Sequence, residues 1–266
     1  MDEVNARGLV LLGCGKMGSA LLQGWLARGV APGAVQVIEP NPSDWLRAQG
    51  VGLNGALPQD PAVAVVAVKP QMMGAALPAL AALGETLFVS IAAGTTLAAL
   101  DAALGGGRRI VRAMPNTPAA VGRGISAILG NPAAGPADLD LAEALLAAVG
   151  EVVRLPDEGL MDAVTAVSGS GPAYVFHLIE ALAAAGAAQG LPADLAMRLA
   201  RATVCGAGEL ARQSPESAAQ LRINVTSPGG TTAAALAVLM DEDAGLPPLM
   251  ARAVAAATAR GRELGA

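Results

Sequence analysis

Two short stretches hold residue types at spacings that can do chemistry. In GLVLLGCGKMG, Gly13, Gly15 and Gly18 stand in G-x-G-x-x-G spacing, after an apolar run and at the opening of a helix-forming one. Gly13 permits a tight turn, Gly15 lets the backbone approach a pyrophosphate, and Gly18 lets helix pack closely on strand. The helix N-terminus then offers free N–H groups and a positive dipole end to the phosphates. In RINVTSPGGTTAAAL, from Arg222 to Leu236, hydroxyls surround Pro-Gly-Gly just before an alanine-rich run. This predicts a helix start, with Thr226 or Ser227 as N-cap, Pro228 at the first helical position and unpaired N–H groups from Gly229 onward. Two adjacent glycines leave that backbone unshielded, so a small anion such as a carboxylate can rest on it without an arginine. Ser227, Thr231 and Thr232 add short-range donors. A capped helix alone explains Ser227 and Pro228, but not two glycines that each cost ~1 kcal/mol inside a helix.

Other chemically capable side chains are scarce. The single histidine, His177, lies in an apolar helical run and reads as a buried or interface side chain. Without a second histidine or a cysteine partner, acyl-transfer triads and histidine-based metal sites are not expected. The acidic residues are mostly isolated, which leaves no paired carboxylates for acid-base work. A reaction that a bound cofactor performs once substrate is held in place fits this poverty, with hydride transfer the leading case. Glu39, at the end of the strand VQVIEP and about twenty residues past the glycine motif, stands where an acid binds a ribose 2'-hydroxyl and favours NAD. Asn41 and Ser43 follow, and either can hydrogen-bond a 2'-phosphate, so both nucleotides stay open. Lys69, after the apolar run AVAVVAV, sits at a strand's carboxyl end, where ligands gather in open α/β sheets. Tyr174 lies in the apolar helix and reads as core packing rather than as an acid.

The elements that position these groups follow from the pattern. The first half alternates short apolar runs with helical ones, from GLVLLG and MGSALLQGWLARG to GISAIL and EVVRL. Near-continuous apolar strands separated by helices predict a parallel sheet covered on both faces. Residues 1–156 are therefore expected to form a Rossmann-type doubly wound domain, and residues 157–266, helix-forming throughout, an all-α domain. PAYVFHLIEALAAAGAAQG is apolar on nearly every face, so a second subunit is expected to supply part of its burial. At 53% hydrophobic and 15% charged, with a formal charge of -5, the chain reads as globular, with neither nucleic acid nor membrane as partner. The two cysteines, Cys14 and Cys205, have no metal or redox spacing and are expected as free thiols in a reducing, cytoplasmic setting. No apolar run is long enough to span a bilayer, and none reads as a signal peptide.

GCGKMG, AVKPQ at 67–71, SIAAG at 90–94, RAMPNTP at 112–118, SGSGPAYVF at 168–176, GLP at 190–192 and TSPGGTT at 226–232 occur in this order. Together they resemble the pyrroline-5-carboxylate reductases nearly end to end. The resemblance implies a Rossmann half followed by a helical half through which subunits dimerise, the dimers often joining into larger rings. It implies reduction of a cyclic imine to L-proline by NADPH or NADH, with no metal. It places the substrate carboxylate on Ser227, Gly229, Gly230 and Thr231, and the imine nitrogen beside Thr232 as the catalytic hydroxyl. Cofactor contacts carry over to Gly13, Cys14, Gly15, Lys16, Met17, Asn54, Ala67, Val68, Lys69 and Pro70, with Met114 and Asn116 near the nicotinamide. A protonated imine already carries the charge that makes its carbon accept hydride, so a hydroxyl suffices where a stronger acid is otherwise needed.

Three rivals remain at this level. A 3-hydroxyacid dehydrogenase of similar architecture carries a catalytic lysine where this chain has Val175. A reductase of another ring, such as a six-membered imine, differs only in pocket walls. A sensor that binds NAD(P) without turnover would share the glycine motif.

Overall fold

In the computed structural model, which describes residues 1–265, the chain forms two compact units, Met1–Gly169 with Ala257–Ala266, and Ser170–Ala256. The first unit opens with helix α1 (Asp2–Arg7), strand β1 (Leu9–Leu12), helix α2 (Lys16–Ala27) and strand β2 (Val35–Ile38). It continues through α3 (Asp44–Arg47), β3 (Gly52–Leu53), β4 (Val63–Val66), α4 (Met73–Ala76), β5 (Leu87–Ser90) and α5 (Leu97–Ala103). The remaining elements are β6 (Arg109–Met114), β7 (Gly124–Gly130), α6 (Pro136–Leu146), β8 (Gly150–Arg154) and α7 (Met161–Val164).

The eight strands form one sheet in the order β3-β2-β1-β4-β5-β6-β7-β8. Alternation along each strand feeds both faces. Leu9, Leu11, Val63 and Val65 join the core that holds Trp25 and Leu145, whereas Val10, Leu12, Ala64 and Val66 join the core around Phe88 and Leu100. Burial on both faces is why these strands read as unbroken apolar runs. The chain runs from β1 outward to β3, then returns past β1 to β4, so the carboxyl ends of β1 and β4 flank the crevice where the strand order reverses.

The sheet departs from the all-parallel expectation at one pair. Strand β7 runs antiparallel to β6, with Val111 opposite Gly130 and Met114 opposite Ala127. The segment 115–123 between them is too short for a covering crossover helix, and a short connection can only return the chain antiparallel. Helix α6 then carries the chain across, and β8 pairs parallel to β7.

The unit boundary also differs from a division at residue 156. Met161 and Ala166 are fully buried, and Met161 belongs to the same core as Phe88, so α7 and the π-helical turn Thr165–Gly169 stay with the sheet. The second unit contains α8 (Gly171–Ala188), α9 (Ala193–Gln213), α10 (Ala218–Asn224), α11 (Thr231–Leu239) and most of α12 (Leu246–Gly265). Helices α8 and α9 pack together, and Ala183, Ala196 and Ala200 are its buried apolar side chains among the described residues. Small side chains let two helix backbones approach closely.

Candidate functional site

The glycine turn leaves β1 at Gly13, whose φ of +89° favours glycine and whose N–H donates to Ile38 O at 2.8 Å. A Cβ here would lie 2.9 Å from Ala67 O, and one at Gly18 would lie 2.5 Å from Gly13 O, so both glycines permit close packing. Gly15 is different. A Cβ at Gly15 would meet no heavy atom within 4 Å, and Gly15 is exposed at the N-cap of α2. That helix has no side-chain cap and no acidic residue in its first turn. Its first backbone bond runs from Ser19 N–H to Gly15 O at 2.9 Å, which leaves the N–H groups of Lys16, Met17 and Gly18 without an intrahelical carbonyl. The open space at Gly15 above bare donors at a positive dipole end fits a pyrophosphate.

The neighbouring residues are tied together. Glu39 Oε2 accepts from Cys14 N–H at 2.9 Å, and its Oε1 accepts from Asn41 N–H at 3.0 Å. Asn54, a non-glycine residue at φ +51°, accepts from Glu39 N–H and donates to Glu39 O, each at 2.9 Å. The Asn54 amide thus fixes the end of β2. Burial, and then the Glu39 charge, push the Cys14 thiol up to about 11, which makes it an unreactive neutral group near pH 7. Ala67 N–H donates to Leu12 O at 2.7 Å, which sets Ala67 and Val68 beside the glycine turn. Lys69 and Pro70 continue from them as exposed residues, with Pro70 opening a single 3₁₀ turn.

Farther along the sheet, Met114 ends β6, and its Cε lies where a Cβ at Gly169 would be only 2.7 Å away. Asn116 is buried, accepting from Ile125 N–H at 2.9 Å and donating to Ser168 O at 3.2 Å. Its amide therefore links β7 to the π-helical turn, and π turns recur at functional sites. An ion pair escaped sequence reasoning. Arg112, with a side chain 6% exposed, bonds Glu158 Oε1 at 2.6 Å, and the same oxygen accepts from Leu97 N–H at 2.9 Å. The available signal was an arginine inside the apolar strand RRIVRAM, since a charge at a core position requires a partner.

In the second unit, TSPGGTT departs from the expected helix start. Thr226 finishes the preceding turn, its hydroxyl donating to Arg222 O at 2.6 Å. Ser227 to Gly230 form a β-turn, closed by Gly230 N–H to Ser227 O at 3.0 Å, with Gly229 at φ +69°. Proline followed by a positive-φ glycine is the signature of a type II turn. Gly230, not Thr226 or Ser227, is the N-cap, and α11 begins at Thr231 with no side-chain cap bond. The glycines thus lie outside the helix, and the cost assigned to them inside one does not arise. The Gly230 N–H is used within the turn. The first helical bond, Ala234 N–H to Gly230 O at 3.2 Å, leaves the N–H groups of Thr231, Thr232 and Ala233 for an external acceptor. Ser227 and Thr231 are exposed and Thr232 is half-buried.

His177 is exposed on α8, 3.1 Å from Glu180, rather than buried within its own chain, and Tyr174 is half-buried. Cys14 and Cys205 are both free thiols. Among the described residues no group of three or more His, Cys, Asp and Glu side chains can hold a metal ion, and no helix is long and apolar enough to cross a membrane. A cleft of about 380 Å³ beside β7 and β8, lined by Ile125, Val153, Leu160 and Val167 among others, offers almost no polar group with which to orient a carboxylate.

Residues 9–94 match the family described as NADP oxidoreductase, coenzyme F420-dependent, and residues 158–264 match pyrroline-5-carboxylate reductase dimerisation. A Rossmann sheet with an open glycine turn, joined to a helical dimerisation region, defines the class as a dinucleotide-dependent oxidoreductase. The pyrroline-5-carboxylate reductase of Pseudomonas aeruginosa is 40% identical over 264 residues, covering 96% of each chain. The solved pyrroline-5-carboxylate reductase of Coxiella burnetii superposes with a TM-score of 0.90 at 34% identity, covering 98% of this chain and 99% of that one. The Plasmodium falciparum pyrroline carboxylate reductase, solved with NADP bound, gives a TM-score of 0.84 at 30% identity and covers 98% and 99%. The chain belongs to the pyrroline-5-carboxylate reductase family.

Proposed function

We propose that this enzyme reduces L-1-pyrroline-5-carboxylate to L-proline, the last step of proline biosynthesis, with NADPH or NADH as reductant. The observation that carries the proposal is similarity to reductases of this name over 96% of the chain. The open glycine turn agrees with it. Bound NAD(P)H supplies the hydride to the imine carbon, C5, and a proton completes the secondary amine at nitrogen. Gly13, Cys14, Gly15, Lys16, Met17 and Gly18 cradle the dinucleotide phosphates. Ala67, Val68, Lys69 and Pro70 line the crevice beside them, Glu39, Asn41 and Asn54 lie toward the ribose, and Met114 and Asn116 belong to the nicotinamide end.

The substrate carboxylate rests on the free N–H groups at the start of α11, framed by Ser227, Gly229, Gly230 and Thr231. A helix N-terminus holds an anion without a lysine or arginine, consistent with the absence of either from Ile223 to Met240. Thr232, second in the helix, carries a hydroxyl that holds the proton at the imine nitrogen, directly or through a water that it orients. The sheet unit serves nucleotide binding, and the helical unit, Ser170–Ala256, serves substrate binding and dimerisation.

The test is to mix purified protein with pyrroline-5-carboxylate and either nucleotide and to follow the nicotinamide absorbance, with a six-membered imine as comparison. Steady loss of absorbance with the five-membered ring is expected. No consumption with any pair would favour a nucleotide-binding protein without turnover.

The working unit is a homodimer, which can assemble further into a ring. Helix α8 exposes Val175 (44%), Phe176 (60%), Leu178 (50%) and Leu182 (44%), within the matched dimerisation region. A second copy covers such a face most simply through two-fold symmetry. Phe176→Glu should raise the dimer dissociation constant on the order of thirtyfold, the effect of losing about 1 kcal/mol at each of the two copies of this side chain. Light scattering across a dilution series reads this directly, and an unchanged mass at low micromolar concentration would remove α8 from the interface. A cytoplasmic location agrees with the two unpaired cysteines.

A further inference from the structure

The geometry points to Glu39 as the residue that makes this enzyme bind NADH more tightly than NADPH. The inference rests on the proposed assignment of the glycine turn to the dinucleotide. An acid just past the second strand of such a unit lies against the ribose 2'-hydroxyl. That hydroxyl can donate to a carboxylate, whereas a 2'-phosphate brings further negative charge to the same place.

Four hydrogen bonds hold Glu39. The two carboxylate oxygens accept from Cys14 N–H at 2.9 Å and Asn41 N–H at 3.0 Å, while Asn54 bonds the Glu39 backbone N–H and carbonyl at 2.9 Å each. Cys14 lies between two glycines of the turn, so the carboxylate is fastened to the loop assigned to the dinucleotide. Swinging the charge away from an arriving phosphate would break both carboxylate bonds. The carboxylate retains acceptor capacity for a ribose hydroxyl, since each oxygen offers two lone pairs.

Nothing in the adjoining segment compensates the charge. EPNPSDWL, residues 39–46, has no lysine or arginine and contributes a second carboxylate, Asp44. Ser43, a candidate phosphate ligand by sequence, has its Oγ engaged as the N-cap of α3, accepting from Leu46 N–H at 3.2 Å. Arg47 comes only at the end of that helix, where it is exposed.

Calorimetric titration of the intact protein with NADH and with NADPH, without imine, tests the assignment independently of turnover. NADH is expected to bind at least about tenfold more tightly, and added salt should narrow the gap by screening the repulsion. Glu39→Gln keeps an oxygen for the Cys14 N–H but removes the charge, and should bring the two affinities within about threefold, mainly by tightening NADPH. Equal or tighter NADPH binding by the unsubstituted protein overturns the inference, as does an unchanged ratio in folded Glu39→Gln. If that variant does not fold, the unsubstituted ratio and its salt dependence decide the matter. Binding of neither nucleotide overturns the cofactor assignment itself, and this inference with it.

Discussion

Gly15→Val should weaken dinucleotide binding by more than about a hundredfold while costing the fold only about 1 kcal/mol, the usual loss when glycine at an N-cap gives way to a β-branched residue. The asymmetry follows from what each glycine of the turn meets. At Gly15 the added atoms enter open space, and its φ of -72° suits any L-residue, so the protein has little to oppose them. Gly15 is the N-cap of α2, so a branched side chain there stands beside the free N–H groups of the first turn and should obstruct phosphate at the proposed site. Charge-assisted hydrogen bonds of this kind contribute roughly 1.5–3 kcal/mol each, and losing one or two gives the stated effect. Gly18→Val is the contrasting control. Its Cβ would lie 2.5 Å from Gly13 O, a backbone atom, so the fold itself should fail. Thermal unfolding and nucleotide titration together separate the two cases, and nucleotide binding by Gly15→Val at unaltered strength would exclude the glycine turn as the cofactor site.

Thr232→Ala should lower kcat by about a hundredfold, the lower end of what a positioned proton donor contributes, while nucleotide affinity changes less than about twofold. Alanine keeps the backbone N–H at this position, so the donors at the head of α11 remain and KM should shift little. Only the hydroxyl is lost. Alanine is also the stronger helix former, so reduced activity cannot be assigned to a weakened helix. Thr232→Ser restores the hydroxyl and should recover most of the turnover. Steady-state kinetics on the three proteins decide the point, and turnover of Thr232→Ala within twofold of the parent would remove the proposed role.

The glycine turn was legible because its requirements are local. A strand, three glycines and a helix within eleven residues leave few conformations, and the structure shows the tight turn at Gly13, the close packing at Gly18 and open space at Gly15. The doubly wound sheet was legible because burial on both faces erases polar alternation. TSPGGTT was legible only in part. Composition marked a chain reversal followed by a helix, but a proline can open a helix or occupy the second place of a turn, and the positive φ of Gly229 selects the turn. This moved the helix start to Thr231 and changed which N–H groups face outward.

Sequence by itself determined the family, the order of elements and the presence of a glycine turn between strand and helix, because motif residues and apolar periodicity act over a few neighbours. Tertiary structure alone decided the antiparallel pairing of β6 with β7, the clamp of Cys14 and Asn54 on Glu39, and the pairing of Arg112 with Glu158. It also decided that α7 stays with the sheet, through the burial of Met161. The ties of Cys14 and Asn54 to Glu39, and of Arg112 to Glu158, join residues fifteen to forty-six positions apart. Such contacts depend on where the sheet delivers each strand end, and no local propensity carries that information.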